Sequence, residues 1–316
     1  MANETHTLQT TLAVKLACRA RAPDVKPPPF EYHRPATLSE ALQLIATLEN
    51  ARVLAGGQSL LPMLNLRFAL PDHIIDLNSI DELNRIEVDG DVLTIGAMAR
   101  QRDIERSEHV RRALPLFYEA LQFVGHVQTR NRGTIGGSLC HLDPSAELPA
   151  VVAVLDGEVV ATSIRGQRTI AMSEFPAFHM TPAIETDEIV TAVKVPIWSA
   201  GHGYAFEEFA RRHGDFAVLT VSALLETDQG ARVTRVAMCV GGISHGPVRM
   251  PTAEAALLGR KLDEQAIDAA AQCCADIPAE DDPYNSAAYR KHLATGLAKR
   301  AVTRAYARAK NSQVAS

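Results

Sequence analysis

The sequence predicts an α+β fold in two domains, with strands and helices mixed in the first and segregated in the second. Three observations carry this. The 316-residue length corresponds to about two domains of ordinary size. Short β-branched runs and stretches of helical period alternate irregularly as far as Pro196. Beyond Gly201 and Gly203, three strand-like runs come first and the rest of the chain reads as helix.

Taken in order, ordered structure is expected from Phe30. Thr37-Leu38-Ser39-Glu40 has the form of a helix capping box. Leu38, Ala41, Leu42, Ile45 and Leu48 follow at helical spacing, which predicts a helix over 38–49. Arg52–Ala55 reads as a buried strand running into Gly56-Gly57, and strand character returns at His73–Leu77. Arg85–Val88 and Asp91–Ile95 flank Asp89-Gly90, a hairpin signal. Gln101–Ser107 and Val110–Val124 read as helices, the second interrupted by Pro115. Glu147–Leu155 reads as an apolar helix, and Glu158–Ile164 and Asp187–Val195 as strands. In the second domain, Tyr204–Arg211, Phe216–Glu226 and Ala231–Val240 are the strands, with helices over about 252–258, 263–275 and 286–310.

Composition narrows the function classes. Lys+Arg is 32 against Asp+Glu 37, a net charge of −5, so the chain lacks the basic balance of a general nucleic-acid binder. Aromatic residues are 5%, too few for a base-stacking platform. No apolar run approaches the roughly 18 residues of a transmembrane helix. Cys18, Cys140, Cys239, Cys273 and Cys274 include no C-x-x-C pair, which argues against a disulfide scaffold, a zinc site or an iron–sulfur cluster held by this chain. Residues 1–25 are polar and mixed, and are expected to be a disordered extension ahead of Lys26-Pro27-Pro28-Pro29.

Two glycine segments carry the candidate chemistry. In Val53-Leu54-Ala55-Gly56-Gly57-Gln58-Ser59-Leu60 a strand ends in two glycines, where a ligand can approach the backbone closely. Successive N–H groups in such a turn can form an anion nest, and Ser59 adds a hydroxyl. Thr134-Ile135-Gly136-Gly137-Ser138 repeats the composition. Together they suit a split cradle for a pyrophosphate bound through backbone N–H groups. Neither is GxGxxG or GxxxxGK[ST], so Rossmann and Walker sites are disfavoured. Glu147 could accept hydrogen bonds from a ribose, or it could simply favour the first turn of its helix. His126, His141 and His213 show neither metal-set nor triad spacing.

The segments ARVLAGGQSLLPMLNLRFALPDHIIDLNSI, VGHVQTRNRGTIGGSLCHLDPSAELPAVVAVLDGEVV and AFEEFARRHGDFAVLTVSALL resemble the FAD-binding medium subunit of molybdenum hydroxylases, the carbon monoxide dehydrogenase and xanthine dehydrogenase family. The resemblance runs from about Lys26 to Ala309. It implies a two-lobed FAD-binding domain of the vanillyl-alcohol-oxidase-like (PCMH) type over 26–201, with lobes of about 26–80 and 81–201. A C-terminal flavoprotein domain of the carbon monoxide dehydrogenase type would follow over 202–311, a three-stranded antiparallel sheet with a helical bundle.

The resemblance further implies that Ala55–Ser59 hold the FAD pyrophosphate, flanked by Val53, Leu54 and Leu60. Thr134–Ser138 would grip it from the other side. Glu147 takes the position of an Asp that binds the adenosine ribose. Val124 stands where relatives place an aromatic residue against the flavin ring, and Ile189 and Val190 would line the adenine or flavin pocket. No side chain of this subunit is expected to act as general acid or base. The implied assembly has a large molybdopterin subunit and a small 2Fe–2S subunit, as a dimer of heterotrimers in the cytoplasm or at the inner membrane face. Electrons would pass from the 2Fe–2S clusters through FAD to an external acceptor. Arg130, Arg132, Arg211, Arg212 and Asp215 fall in the matched segments, and Arg211-Arg212 suits an anionic acceptor, a partner subunit or a solvated loop. Two other readings keep the fold: a non-catalytic ligand-binding subunit, and an independent flavin oxidoreductase.

Overall fold

A computed structural model describes residues 26–314; the expectation for residues 1–25 lies outside them. The first lobe runs β1 (Glu31–His33), α1 (Leu38–Thr47), β2 (Ala51–Leu54), α2 (Leu60–Asn65) and β3 (His73–Asp76). The capping box forms. Thr37 Oγ1 accepts from the Glu40 N–H at 3.2 Å, and the Glu40 carboxylate accepts from the Ala36 N–H at 2.7 Å. Ala41, Leu42 and Ile45 are the buried face of α1. The strands form a parallel sheet in the order β1-β3-β2. The three-residue β1 carries too little pattern to be read from the sequence.

The second lobe begins with the predicted hairpin, β4 (Ile86–Asp89) and β5 (Val92–Gly96), where Gly90 has φ +55°. Six helices follow before the next strand pair, beginning with α3 (Gln101–Arg106), α4 (Glu108–Ala113), α5 (Pro115–Leu121), α6 (Val127–Arg132) and α7 (Ile135–His141). Pro115 does not kink one long helix. It opens α5 at its first position, where the missing N–H costs nothing. The apolar α8 (Glu147–Val154) is buried along its whole length. Then come β6 (Glu158–Ser163), β7 (Gly166–Ala171), the short pair β8 (Pro176–Phe178) and β9 (Thr181–Pro182), and β10 (Ile189–Pro196). The antiparallel order is β4-β5-β10-β6-β7, so the last strand of the lobe sits in the middle.

The C-terminal part contains β11 (Gly203–Phe209), β12 (Leu219–Thr227), β13 (Val233–Gly241) and β14 (Val248–Arg249), then α9 (Pro251–Leu257), α10 (Glu264–Cys273) and α11 (Ala287–Val314). The three predicted strands are present. The two-residue β14 extends the antiparallel sheet to four, in the order β11-β12-β13-β14. This sheet is covered on both faces. Leu224 on β12 joins the core that contains α8, whereas Val221, Ala223 and Leu225 join the core built on α9–α11.

Charged side chains fix this second part onto the first. The Glu119 carboxylate on α5 accepts from the Phe206 N–H at 2.9 Å, from Arg304 at 2.8 Å and from Arg308 at 2.7 Å. Arg249 pairs with Asp156 of the first part and with Glu254 of its own.

Candidate functional site

The site is built where β2 ends. Ala55-Gly56-Gly57-Gln58-Ser59 leaves the strand and enters α2, with Gly57 at φ +73°, a conformation open to glycine. The N–H groups of Gly56, Gly57, Gln58 and Ser59 meet no protein acceptor among the described residues. Gly56 is buried, Gly57 and Ser59 are half-buried and Gln58 is exposed. Buried donors are normally paired, so such a run marks a place for an acceptor-rich ligand.

The second glycine segment packs directly against the first. A Cβ on Gly56 would lie 2.2 Å from the Arg132 carbonyl oxygen and 2.8 Å from the Gly133 Cα. A Cβ on Gly137 would lie 3.5 Å from that of Ala55. The chemistry of the two segments differs, however. Gly136-Gly137 does not form a turn but lies in the first turn of α7, capped by Thr134, whose Oγ1 accepts from the Gly137 N–H at 3.0 Å. Ile135 donates to the Ala99 carbonyl at 3.2 Å, Gly136 to Ala97 at 2.9 Å and Ser138 to Thr134 at 3.1 Å. All four N–H groups of 135–138 are therefore engaged within the protein. Its glycines let Ala97 and the first segment pack against it without side chains between, and only the half-buried Gly137 and Ser138 reach toward solvent. The free backbone donors belong to the first segment.

A polar brace, invisible in the sequence, holds the two lobes in this arrangement. Asn78 donates from Nδ2 to the Ala55 carbonyl at 2.9 Å, and its own N–H bonds Asp76 Oδ1 at 2.9 Å. Asp76 also accepts from the Tyr32 hydroxyl, which raises the tyrosine pKa. Across the lobe boundary, Arg100 donates to both Asn78 Oδ1 and the Arg132 carbonyl. Burial pulls the Arg100 pKa down, and Arg132 adds to the effect.

Glu147 opens α8 and is buried. Burial pushes its pKa up to about 7; neighbouring Asp143 adds to the rise and Arg130 opposes it. Glu208, on β11 of the second part, faces it electrostatically and rises to about 8, first through burial and then through Glu147. Glu208 Oε2 is buried with no hydrogen-bond partner among the described residues. A carboxyl held in its neutral form can donate as well as accept, which suits a hydroxyl-bearing ligand. Glu208 was missed from sequence because it lies 61 positions from Glu147 and meets it only through domain packing.

The remaining candidate residues are distributed as follows. Val53 packs on the first-lobe core, and Leu54 and Leu60 flank the loop at its two ends. Val124 is buried in the main core, with its carbonyl accepting from Arg130 Nη1 at 3.0 Å. Ile189 and Val190 start β10, with Ile189 in the first-lobe core and Val190 in the main core. Arg130 forms a buried pair with Glu105 at 3.1 Å. Burial alone would raise Glu105, but bonds from Arg102, Gln122 and Arg130 outweigh it and hold the carboxyl below its usual range. Arg211, Arg212 and His213 are exposed, and Arg211 lies over the Tyr284 ring. His126 is exposed beside Gly214, and burial lowers the pKa of His141. The described cysteines are free thiols, and burial pushes Cys140, Cys239 and Cys274 up to about 12. No helix among the described residues is long and apolar enough to cross a membrane.

The fit of FAD can be judged on these features. Its pyrophosphate needs several donors, and the Gly56–Ser59 loop supplies a run of N–H groups that meet no protein acceptor among the described residues. Comparison with known proteins agrees. Residues 28–198 match the family described as FAD binding domain in molybdopterin dehydrogenase, and residues 204–305 match the CO dehydrogenase flavoprotein C-terminal domain. The chain is 36% identical over 285 residues to caffeine dehydrogenase subunit beta of Pseudomonas sp. strain CBB1, covering 89% of this chain and 96% of that one. It is 38% identical over 286 residues to the nicotine 6-hydroxylase medium subunit of Paenarthrobacter nicotinovorans, covering 90% and 100%. Carbon monoxide dehydrogenase of Hydrogenophaga pseudoflava superposes with a TM-score of 0.86 at 37% identity, covering 89% of this chain and 99% of that chain. The chain therefore belongs to the FAD-binding medium subunits of molybdenum hydroxylases, an oxidoreductase family that includes the carbon monoxide and xanthine dehydrogenases.

Proposed function

We propose that this chain is the electron-transfer subunit of its complex, receiving electrons from 2Fe–2S clusters of a small partner subunit and delivering them through FAD to an external acceptor. The observation that carries this reading is the run of N–H groups from Gly56 to Ser59 that meet no protein acceptor among the described residues. Bound FAD supplies the redox chemistry, since it takes electrons singly and gives them up singly or in pairs.

The chain's own residues bind and orient. Ala55–Ser59 hold the pyrophosphate by backbone donors, with Val53, Leu54 and Leu60 flanking. Thr134–Ser138 close the other side. Glu147 bonds the adenosine ribose. Ile189, Val190 and Val124 shape the walls around the rings from the buried cores they join. No side chain here serves as general acid or base.

Two features support partner subunits. The described cysteines are free and, without C-x-x-C spacing, offer no iron–sulfur ligand set, which suits a relay held by another chain. Directly after the loop, Leu61, Leu66, Phe68 and Leu70 are exposed, an apolar rim suited to docking. The large molybdopterin subunit then selects the substrate. Relatives named for caffeine, nicotine and carbon monoxide match this chain at 36%, 38% and 35% identity, as expected if substrate choice lies elsewhere. The assembly is a dimer of heterotrimers, cytoplasmic or peripheral at the inner membrane face.

Native purification with co-purifying chains tests this reading. FAD near one per chain, 2Fe–2S absorbance and two companion subunits are expected. An intact complex without flavin would overturn it.

A further inference from the structure

Away from the glycine loops, parallel pairing of β1 with β3 sets Glu31 opposite His73, and His33 follows on the same face of β1. The three side chains converge. His33 Nε2 lies 3.1 Å from His73 Nδ1. The Glu31 carboxylate reaches His33 Nε2 at 3.8 Å and His73 Nδ1 at 3.5 Å. One ligand atom from each residue falls within 4.8 Å of the other two. The imidazoles are tilted at 47° with centroids 5.2 Å apart, so they meet by their nitrogen edges rather than by stacking.

A hydrogen bond between the two imidazoles accounts for the 3.1 Å contact, and the carboxylate stands beyond ordinary hydrogen-bond length from both rings, at 3.5 and 3.8 Å, within reach as an ion-pair partner. A tetrahedral zinc ion with ligand distances of about 2.0–2.1 Å spaces its donor atoms about 3.3–3.4 Å apart. The nitrogen–nitrogen separation of 3.1 Å and the separations of a carboxylate oxygen from each ring, Oε1 at 3.8 Å and Oε2 at 3.5 Å, lie on both sides of that value. The histidine side chains are 16% and 22% exposed and fixed by strand pairing, whereas Glu31 is 67% exposed and free to swing onto an ion.

We propose that Glu31, His33 and His73 form a surface site for a borderline divalent cation, with Zn²⁺ the best fit and a fourth position facing solvent. Two imidazoles and one carboxylate favour zinc, copper or nickel over magnesium, which demands an oxygen shell. The ion clasps the edge strand β1 to β3, the strand whose other end carries Asp76 and leads to the Asn78 brace. None of the three ligands belongs to the flavin loop.

The test uses the full-length chain, treated with chelator and desalted, and titrated with ZnCl₂ by calorimetry and against a chromophoric zinc indicator. One equivalent of zinc per chain is expected. That equivalent is lost in His33→Ala and in His73→Ala, and its affinity falls at least tenfold in Glu31→Gln, with flavin content unchanged. A tenfold excess of Mg²⁺ does not displace it. Absence of saturable zinc binding overturns the proposal, as does an equivalent that survives both histidine substitutions. Glu31→Gln alters an exposed side chain, so unchanged affinity in that variant overturns the proposal even where a histidine variant fails to fold.

Discussion

Asn78 donates from its amide to the Ala55 carbonyl at 2.9 Å while its amide oxygen accepts from Arg100. One side chain thus ties the end of β2 in the first lobe to the start of α3 in the second. Its effect on a ligand acts through the backbone of the loop, which makes Asn78 a positioning residue. Asn78→Ala should release the loop and weaken FAD retention at least tenfold, with little change in overall secondary structure. Flavin-to-protein ratio after dialysis, read beside far-ultraviolet circular dichroism, checks this.

Gly56→Ala should be far more damaging than Gly90→Ala. A methyl at Gly56 meets the Arg132 carbonyl at 2.2 Å, and both partners are backbone. The lobes must separate, costing about 1–3 kcal/mol together with the flavin. A methyl at Gly90 meets nothing within 4 Å and suffers the strain of φ +55° alone, about 1 kcal/mol. Urea midpoints of the two variants, with flavin content, distinguish the cases.

Glu147 and Glu208 give the fold a pH dependence of definite sign. A carboxyl whose pKa rises on folding contributes most below its ordinary value of 4.5 and loses that contribution as pH passes its folded value, about 7 for Glu147 and about 8 for Glu208. Stability of the flavin-free chain should therefore fall between about pH 5 and 8, by up to about 3 kcal/mol through Glu147. In Glu147→Gln that fall should shrink. Denaturation midpoints across this range measure it; an equally steep fall in the variant contradicts the assignment.

Removing one partner of the buried Arg130–Glu105 pair should destabilise the fold. With both side chains under a tenth exposed, Arg130→Met leaves Glu105 charged, buried and held by Arg102 and Gln122 alone. The expected loss is about 3–5 kcal/mol. The double variant Arg130→Met, Glu105→Leu should recover part of it, and a double-mutant cycle in urea checks the coupling.

Much of the fold was legible locally. The capping box at Thr37, the Asp89-Gly90 hairpin and the helix opening at Glu147 depend on contacts within a few residues, so sequence pattern alone determined them. Glycine pairs followed by hydroxyl residues likewise marked both cradle segments. The sequence could not distinguish their roles. Gly136-Gly137 carries the composition of a turn yet sits in a helix, because Thr134 caps it and Ala97 fills the space a side chain would need. Which segment keeps its N–H groups free depends on the acceptors that packing brings near.

Tertiary structure decided the rest for the same reason. Asn78, Arg100 and Arg132 are separated along the chain and carry no shared motif, yet they form the brace between the lobes. Glu208 becomes a buried acid beside Glu147 only when the β11 sheet docks on α8. Glu31, His33 and His73 converge because β1 pairs in parallel with β3, forty residues on, which is central in the sheet with β2 on its other side. Local patterning determined the elements whose caps and turns lie within a few residues, such as the helix after Thr37 and the Asp89-Gly90 hairpin. Long-range packing determined which polar groups meet, because burial and charge act through space and not along the chain.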